Sequence, residues 1–531
     1  MSVHQMDAPA TSSATGQRVI RGGALSFAGG LIAGVGGFLL TVVVARGLGA
    51  EQAGVFFVSL GLFTILSNAL ELGADTGLVR AIPRLRALGR PADISRTLIV
   101  ATVPVLVVGC IAAVLVSIYA PTLARVFMTQ GNSVHGASFL RTVAPYLAFA
   151  SVATVLAAGT RGFGSVVPYV SIQNIGLPLL RPLAIGVLVT AGIATERSVA
   201  AAWGLPLVAA ALIAAGLVVR STRRLGTAGQ SATEPRPLPA LAGEFWAFAG
   251  ARAFGGVAEI MLIWLDVLLV GWLVGPLEAG VYAAASRFIT TGTLVLQATR
   301  IAITPQLSRL LATERTSEAE ALFNGGAQAV VAASWPLYLG LACFSPAILR
   351  VFGRHFTSGA TSLTILSLAM LVDTATGNIG SVLLMAGRSR WNVVNATSAL
   401  AVDVIIDLLL IPHHGATGAA IGWAAAIVVL NVLACLEVHY LMGLQIFDRA
   451  TIRTAILAGL CFGAPGVVLG LLEPRLLWPP AAWLVIGGAC YVAWWWRRRN
   501  DPEIRLLLDA LGVSRLLNLR PATDHHTSGP R

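Results

Sequence analysis

The chain contains no lysine: all 36 basic residues among its 531 are arginine, and only 11% of the residues are charged. Soluble domains carry roughly 25%, so a water-exposed globule is excluded. Its five cysteines (Cys110, Cys343, Cys435, Cys461 and Cys490) lie within apolar segments and form no C-x-x-C pair. Neither a disulfide framework nor a metal site is indicated. No Walker A motif appears, which argues against ATP hydrolysis by this chain. No D-x-D occurs, and the only adjacent histidines outside the C-terminal tail, His413–His414, read as a solvated loop doublet. An enzyme is therefore not expected, and no cofactor is implied. The all-arginine usage, beside abundant Ala and Gly, reads as codon bias rather than a nucleic-acid surface.

What the chain has in abundance is apolar length. Hydrophobic residues make up 56% of the sequence, and stretches of about 20 residues, enough for a hydrocarbon core of ~30 Å, recur along it. Fourteen such stretches can be placed between residues 22 and 496. They are too long and too uniformly apolar for alternating barrel strands. The fold class expected is an all-α polytopic membrane protein of about 14 transmembrane helices. Residues 1–17 are polar and lead into a full-length helix, so no cleaved signal peptide is expected.

One short pattern occurs twice. Gly49, Ala53, Gly54 and Val55 of ARGLGAEQAGVF match Gly275, Ala279, Gly280 and Val281 of GWLVGPLEAGVY at a constant offset of 226, each copy lying between two apolar segments. Repeated membrane units are a common way to build transporters. The expected organisation is a tail (1–21), a first lobe of six helices (22–219), a linker (220–244), a second lobe of six (245–442), two further helices (443–496) and a tail from 497. With the N-terminus inside, the inner loops hold 26 arginines and the outer loops seven, a positive-inside bias that puts both termini in the cytoplasm. Within the last segment, Trp494–Trp496 followed by Arg497–Arg499 reads as an interfacial anchor. Ile504, Leu507, Leu508 and Leu511 then suggest an amphipathic helix on the membrane surface.

Ionisable residues inside apolar segments mark candidate sites, because each costs ~2.5–3.5 kcal/mol at mid-bilayer on insertion scales. The seventh segment carries Arg252, Glu259 and Asp266 at spacings of seven, on one stripe of a helix. That stripe is either a pathway or a set of structural pairs. Arg181 and Asp373 fall near the middle of segments five and ten, and Asp403 and Asp407 form an i, i+4 pair in segment eleven. Glu71 and Asp75 lie late in segment two, where a solvated helix end serves as well as a site. Arg46 closes the first segment as an interface or gate residue. Asp266 and Arg287 stand at similar depths either side of the loop at Leu277, so a charge pair between them is predicted.

The stretch Ala45–Gly54, A-R-G-L-G-x-x-x-x-G, resembles the polysaccharide-lipid flippases of the MATE-like (MOP) exporter superfamily, as does residues 383–424 with its Ala-Gly turn and late Ile-Pro. The resemblance covers residues 18–445. It implies two MATE-like lobes and export of a polyprenyl-pyrophosphate-linked oligosaccharide from the inner to the outer leaflet of a bacterial cytoplasmic membrane by alternating access. Membrane lipids, a glycan polymerase and glycosyltransferases are the implied partners. Unlike the lipid II branch, the first segment has no charge between Arg21 and Arg46; this turns the reading from peptidoglycan precursors toward O-antigen, capsule or exopolysaccharide. Arg252, Arg287 and Arg181 then become candidate ligands of the pyrophosphate, since guanidinium groups bind phosphate edges bidentately. Glu259, Asp266, Asp373, Asp403 and Asp407 become candidates for ion coupling or charge pairing. The rival readings are a cation-coupled drug or metabolite antiporter, with acids dominating its first-half cavity, and a membrane-embedded glycan polymerase or transferase.

Overall fold

A computed structural model describes residues 11–128, 132–227, 236–386, 388–472 and 478–497. The expected amphipathic helix near Leu507 lies outside the described residues. Among the described residues there is no strand, and packing divides the chain into two compact units, Met1–Leu277 and Glu278–Arg531.

The first unit comprises α1 (Thr11–Leu48), α2 (Ala50–Leu70), α3 (Ala74–Ala87), α4 (Pro91–Phe127), α5 (Ser133–Val143), α6 (Tyr146–Gly162), α7 (Val167–Tyr169), a π-helical segment (Val170–Gly176), α8 (Leu177–Thr190), α9 (Glu196–Thr227) and α10 (Leu238–Leu273). Helix α6 lies at its centre, against α3, α4 and α9. Its sequence explains the position: Ala148, Ala153, Ala157, Ala158 and Gly159 are buried, and small side chains let membrane helices approach closely. Helix α10, counted from sequence as the first of the second lobe, packs here on α2, α3 and α4. It also starts earlier than Phe245, at Leu238, with a proline in its first turn where no N–H partner is needed.

Two stretches expected as loops are helical. Within residues 76–96, Leu78, Ile82 and Leu85 of α3 recur at helical spacing and are buried, while Arg80, Arg84 and Arg86 are exposed. The short α5 likewise occupies much of the expected outer loop 120–141. Both are amphipathic, so their polar faces lowered the average hydropathy that had marked them as loops.

Glycine is required at two close approaches. A Cβ on Gly54, in the first copy of the repeat, would lie 1.6 Å from the carbonyl oxygen of Pro276 in the second. Gly54 is required there because the Pro276 backbone packs directly on it. Gly73 has φ 73°, and a Cβ there would lie 2.2 Å from the carbonyl oxygen of Ala249 on α10. Together with Leu72 at φ 53° it breaks the second apolar segment between α2 and α3.

The second unit holds α11 (Pro276–Ala312, whose first two residues close the first unit), α12 (Thr316–Cys343), α13 (Ser345–Leu349), a 3₁₀ turn (Arg354–Gly359), α14 (Ala360–Ala375), α15 (Ile379–Met385), α16 (Ser389–His414), α17 (Ala416–Met442), α18 (Arg449–Ala458), a π-helical turn (Gly459–Gly463), α19 (Ala464–Leu472) and α20 (Trp478–Arg497). Helices α16 and α17 form its most extensive pair, and α14 packs on α12 and α17. A second layer surrounds Trp483, whose indole donates to the Phe462 carbonyl at 2.7 Å and packs beside Leu339 and Phe344.

Eleven described helices are long and apolar enough to cross a membrane, and twelve if the bent pair α5–α6 is one span. Among the described residues the expected count of fourteen is not reached. Helix α11 falls short because Arg287 and the threonines at 290, 291 and 293 interrupt its apolar run, and α20 offers only Pro480–Trp494.

Candidate functional site

The break between α2 and α3 gathers several polar side chains of the first unit. Glu71 caps α2 with an αR backbone, is 8% exposed and lies within hydrogen-bonding reach of Thr154 on α6. After the left-handed pair Leu72–Gly73, α3 opens with Asp75, which accepts from the Thr76 hydroxyl at 3.1 Å. Two consecutive left-handed residues, one of them leucine, are a costly arrangement that concentrates at functional sites. Opposite the break runs α10, whose Arg252 Nη2 stands 3.7 Å from Glu259 Oε1.

These elements enclose a cavity of about 240 Å³ lined by Asn68, Glu71, Asp75, Thr76, Arg252 and Glu259, with Ile260 and Ile263 on its apolar side. Arg252 and Glu259 remain half-exposed or more, at 50% and 67% of their side chains, so this pair is an open one. The seven-residue stripe on α10 is thereby split. Arg252 and Glu259 face the cavity, whereas Asp266 is 1% exposed and does not line it. Behind the break, Arg161 stacks on the Tyr169 ring at 4.1 Å, and Tyr169 lies within electrostatic reach of Glu71 and Asp75. Tyr169 is the last residue before the π-helical segment, a deformation frequent at functional sites.

Arg181 stands apart from this cavity. Its Nε donates to the Trp203 carbonyl at 3.2 Å and its guanidinium lies 4.0 Å over the same indole, so α8 and α9 are joined through it. Arg46 is exposed at the end of α1. Asp266 and Arg287 belong to different units.

In the second unit the polar centre is Asp373. Helix α14 stops at Ala375, and α15 resumes at Ile379 after Gly377 at φ 61°. Across the break, Asn431 of α17 donates its Nδ2 to Asp373 Oδ1 at 3.0 Å and accepts from the Thr376 hydroxyl at 2.5 Å. Asn378 donates to the Leu296 carbonyl at 3.3 Å. Discontinuous helices of this kind place polar side chains and freed backbone groups at membrane depth. Asp403 and Asp407 are wholly buried on one face of α16, where a Cβ on Gly422 of α17 would lie 2.1 Å from Asp407 Oδ1.

Sequence reasoning missed Asn68, Thr76, Thr376 and Asn431. Asn431 carried a signal, being the sole amide in the run AAAIVVLNVLACL. Glu71 and Asp75 were seen but not joined to Arg252, because the helix break that turns them toward α10 leaves little mark in hydropathy.

No family model matches the chain. The probable low-salt glycan biosynthesis flippase Agl15 of Haloferax volcanii is 24% identical over 440 residues, spanning 80% of this chain and 85% of that protein. The solved structure of the lipid II flippase MurJ, in an inward closed conformation, superposes with a TM-score of 0.70 at 12% identity, covering 90% of this chain and 99% of that one. An inward-facing multidrug resistance MATE family transporter of the MOP superfamily gives 0.63 at 12% identity, over 80% and 95% of the two chains. The chain has the MOP-superfamily fold. The resemblance read from Ala45–Gly54 and residues 383–424 is borne out, and the MOP fold makes this a multi-pass membrane protein whose similar proteins are flippases and transporters.

Proposed function

We propose that this protein flips a polyprenyl-pyrophosphate-linked oligosaccharide from the inner to the outer leaflet, for a cell-surface polysaccharide. The observation carrying this reading is the cavity at the α2–α3 break, which Arg252 lines together with the amide of Asn68. At about 240 Å³ it lies below the ~300–1,000 Å³ of sites that engulf a small molecule. By size it suits a diphosphate headgroup rather than a glycan. Arg252 supplies the planar fork for phosphate oxygens, and Glu259 compensates its charge while the site is empty. Asp373, Asp403, Asp407 and Asp266 are the carboxylates available for coupling to a cation gradient. The similarity to a glycan biosynthesis flippase over 440 residues supports the same class of cargo.

The test is export of the glycan lipid in cells lacking the native gene. Arg252→Ala should abolish export while the protein still reaches the membrane, and Arg252→Lys should restore only part, since a point charge lacks the fork. Full export by the Ala variant would refute the assignment. Orientation belongs to the same reading. A reporter after residue 240 should be cytoplasmic and one at residue 413 extracytoplasmic, and the reverse would put Arg252 at the wrong leaflet for capture.

A cation-coupled antiporter is the second reading, and one observation favours it. Three carboxylates, Glu71, Asp75 and Glu259, share the first-unit cavity with a single guanidinium. Proteoliposomes separate the two readings. Leaflet exchange of a diphosphate lipid selects the flippase, and cation-driven efflux of an organic cation selects the antiporter.

A further inference from the structure

Three arginines converge on one face of the first unit far along the chain from the Arg252 cavity. Arg125 ends α4, Arg141 lies on α5 and Arg197 opens α9, and together they line a pocket of about 610 Å³ with Ser133, Ser138 and Thr142. Each guanidinium is oriented through its Nε: Arg125 donates to the Pro121 carbonyl at 3.2 Å, Arg141 to the Ser117 carbonyl at 3.4 Å and Arg197 to Ser138 Oγ at 3.2 Å. Arg125 also donates its Nη2 to Thr122 Oγ1 at 3.3 Å, and these bonds fix the planar forks whose shape matches an oxyanion. Such convergence of like charge is unfavourable by itself. Two acidic side chains of neighbouring helix starts are engaged elsewhere, Glu51 of α2 accepting from Asn132 Nδ2 at 2.7 Å and Glu196 of α9 pairing with His135 Nδ1 at 2.7 Å.

Two further observations say what kind of anion fits. These three account for three of the seven arginines assigned to the outer loops, a side otherwise poor in positive charge. The pocket also lies at the end of an exposed apolar row on α4, Ile99, Val103, Val107, Ile111, Val114 and Ile118, closed by the exposed Tyr119. A row of this kind faces hydrocarbon chains, and an aromatic residue at its end marks the headgroup level. A chain lying along α4 therefore carries its headgroup to Arg125 and Arg141.

We propose that this pocket is an outer-leaflet docking site for a lipid diphosphate, one whose isoprenoid chain lies along α4 and whose two phosphates engage Arg125, Arg141 and Arg197. Three guanidinium groups match a diphosphate better than the single charge of a phosphodiester lipid. The proposal deepens the flippase reading, since it gives the translocated product a place to rest after transport, and it rests on that reading for its orientation.

The experiment uses full-length protein in phosphatidylcholine nanodiscs, with geranylgeranyl diphosphate as probe and Arg252→Ala in every variant so that only the second site reports. Arg125→Gln/Arg141→Gln/Arg197→Gln should weaken binding at least about tenfold, the scale of one lost charge-assisted hydrogen bond. Inorganic pyrophosphate should bind more weakly than the lipid, because it lacks the chain that α4 holds. Equal affinity in the triple variant overturns the proposal, and so does displacement of the probe by equimolar phosphatidylglycerol, which would make this a general anionic-lipid site. If the triple variant does not fold, a photoreactive diphosphate lipid serves on otherwise unaltered protein. It should label α5, and labelling that avoids Ser133–Val143 overturns the proposal. Full export by Arg252→Ala would instead count against the flippase mechanism and leave this binding result unaffected.

Discussion

The two units each break a membrane helix and put a carboxylate beside the break, yet the two polar centres are built in opposite ways. At Glu71–Asp75 the break opens on a cavity, and the basic partner on α10 keeps half of its surface exposed. At Asp373 the polar groups bond to one another, and the cavity of about 350 Å³ beside Thr376 and Asn431 is walled mainly by apolar side chains such as Val372, Val432 and Leu436. Asn431, 4% exposed, satisfies Asp373 and Thr376 together and bonds back to the Ile427 carbonyl at 2.9 Å. Open charge with a cavity suits a guest that arrives and leaves, whereas a saturated buried network suits a fixed geometry or a single small ion. Counting intramembrane charges does not distinguish these cases; the hydrogen bonds around each charge do.

The comparison can be broken most sharply at Arg252. Its replacement by alanine should cost roughly 3 kcal/mol in headgroup capture, about 100-fold, as expected for a bidentate charge-assisted contact. Binding of a diphosphate lipid to purified protein reads this directly, and a change below threefold would remove Arg252 from the site. Next comes the saturated centre. Asn431→Leu leaves Asp373 and Thr376 without their shared partner and should destabilise the protein by about 1–3 kcal/mol, seen as a lower Tm in detergent. An unchanged Tm would show that the network is not structurally committed.

Left-handed glycines also differ in how tightly they are held, Gly73 at the first break closely and Gly443 after α17 loosely. Gly73→Ala places a Cβ against the Ala249 carbonyl and should cost about 3 kcal/mol or more. Gly443→Ala, at φ 68° with no atom within 4 Å, should cost only about 1–2 kcal/mol. Equal Tm shifts would deny the α2–α3 break its special packing. The smallest effect is expected at Arg181→Lys, which gives up the stacked guanidinium over Trp203 for about 1 kcal/mol and should lower Tm slightly rather than export. A loss of export at constant Tm would instead return Arg181 to the substrate path.

Much of the fold was legible because hydrocarbon imposes a single rule on sequence: long apolar runs with every backbone group satisfied within the helix. The run 97–119 is recovered as α4 with its ends extended, and the run 416–442 as α17 with the same ends. What the rule does not encode is the direction of a helix after a break. Glu-Leu-Gly at 71–73 contains no proline and reads as an ordinary helix end, so Asp75 was placed near solvent although α3 continues the span. Arg252 and Glu259 were found because seven residues nearly complete two turns; the same arithmetic puts Asp266 on the stripe, but the stripe drifts along α10 and Asp266 is buried away from the cavity lining. Arg181 shows the limit of charge as a signal: its use is fixed by Trp203, which lies 22 residues away in sequence.

The junction at Leu72–Gly73 also has a mechanical meaning. Helix α3 is 14 residues long, about 21 Å at 1.5 Å per residue. Pivoted at its first residue, it acts as a lever: a turn of about 10° displaces its far end by roughly 4 Å. That end carries Arg84 and Arg86, which reach Glu244 and the Phe163 carbonyl respectively. A displacement of that size exceeds the reach of a hydrogen bond, so a small torsional change beside Glu71 is enough to exchange the contacts at the other end of the rod.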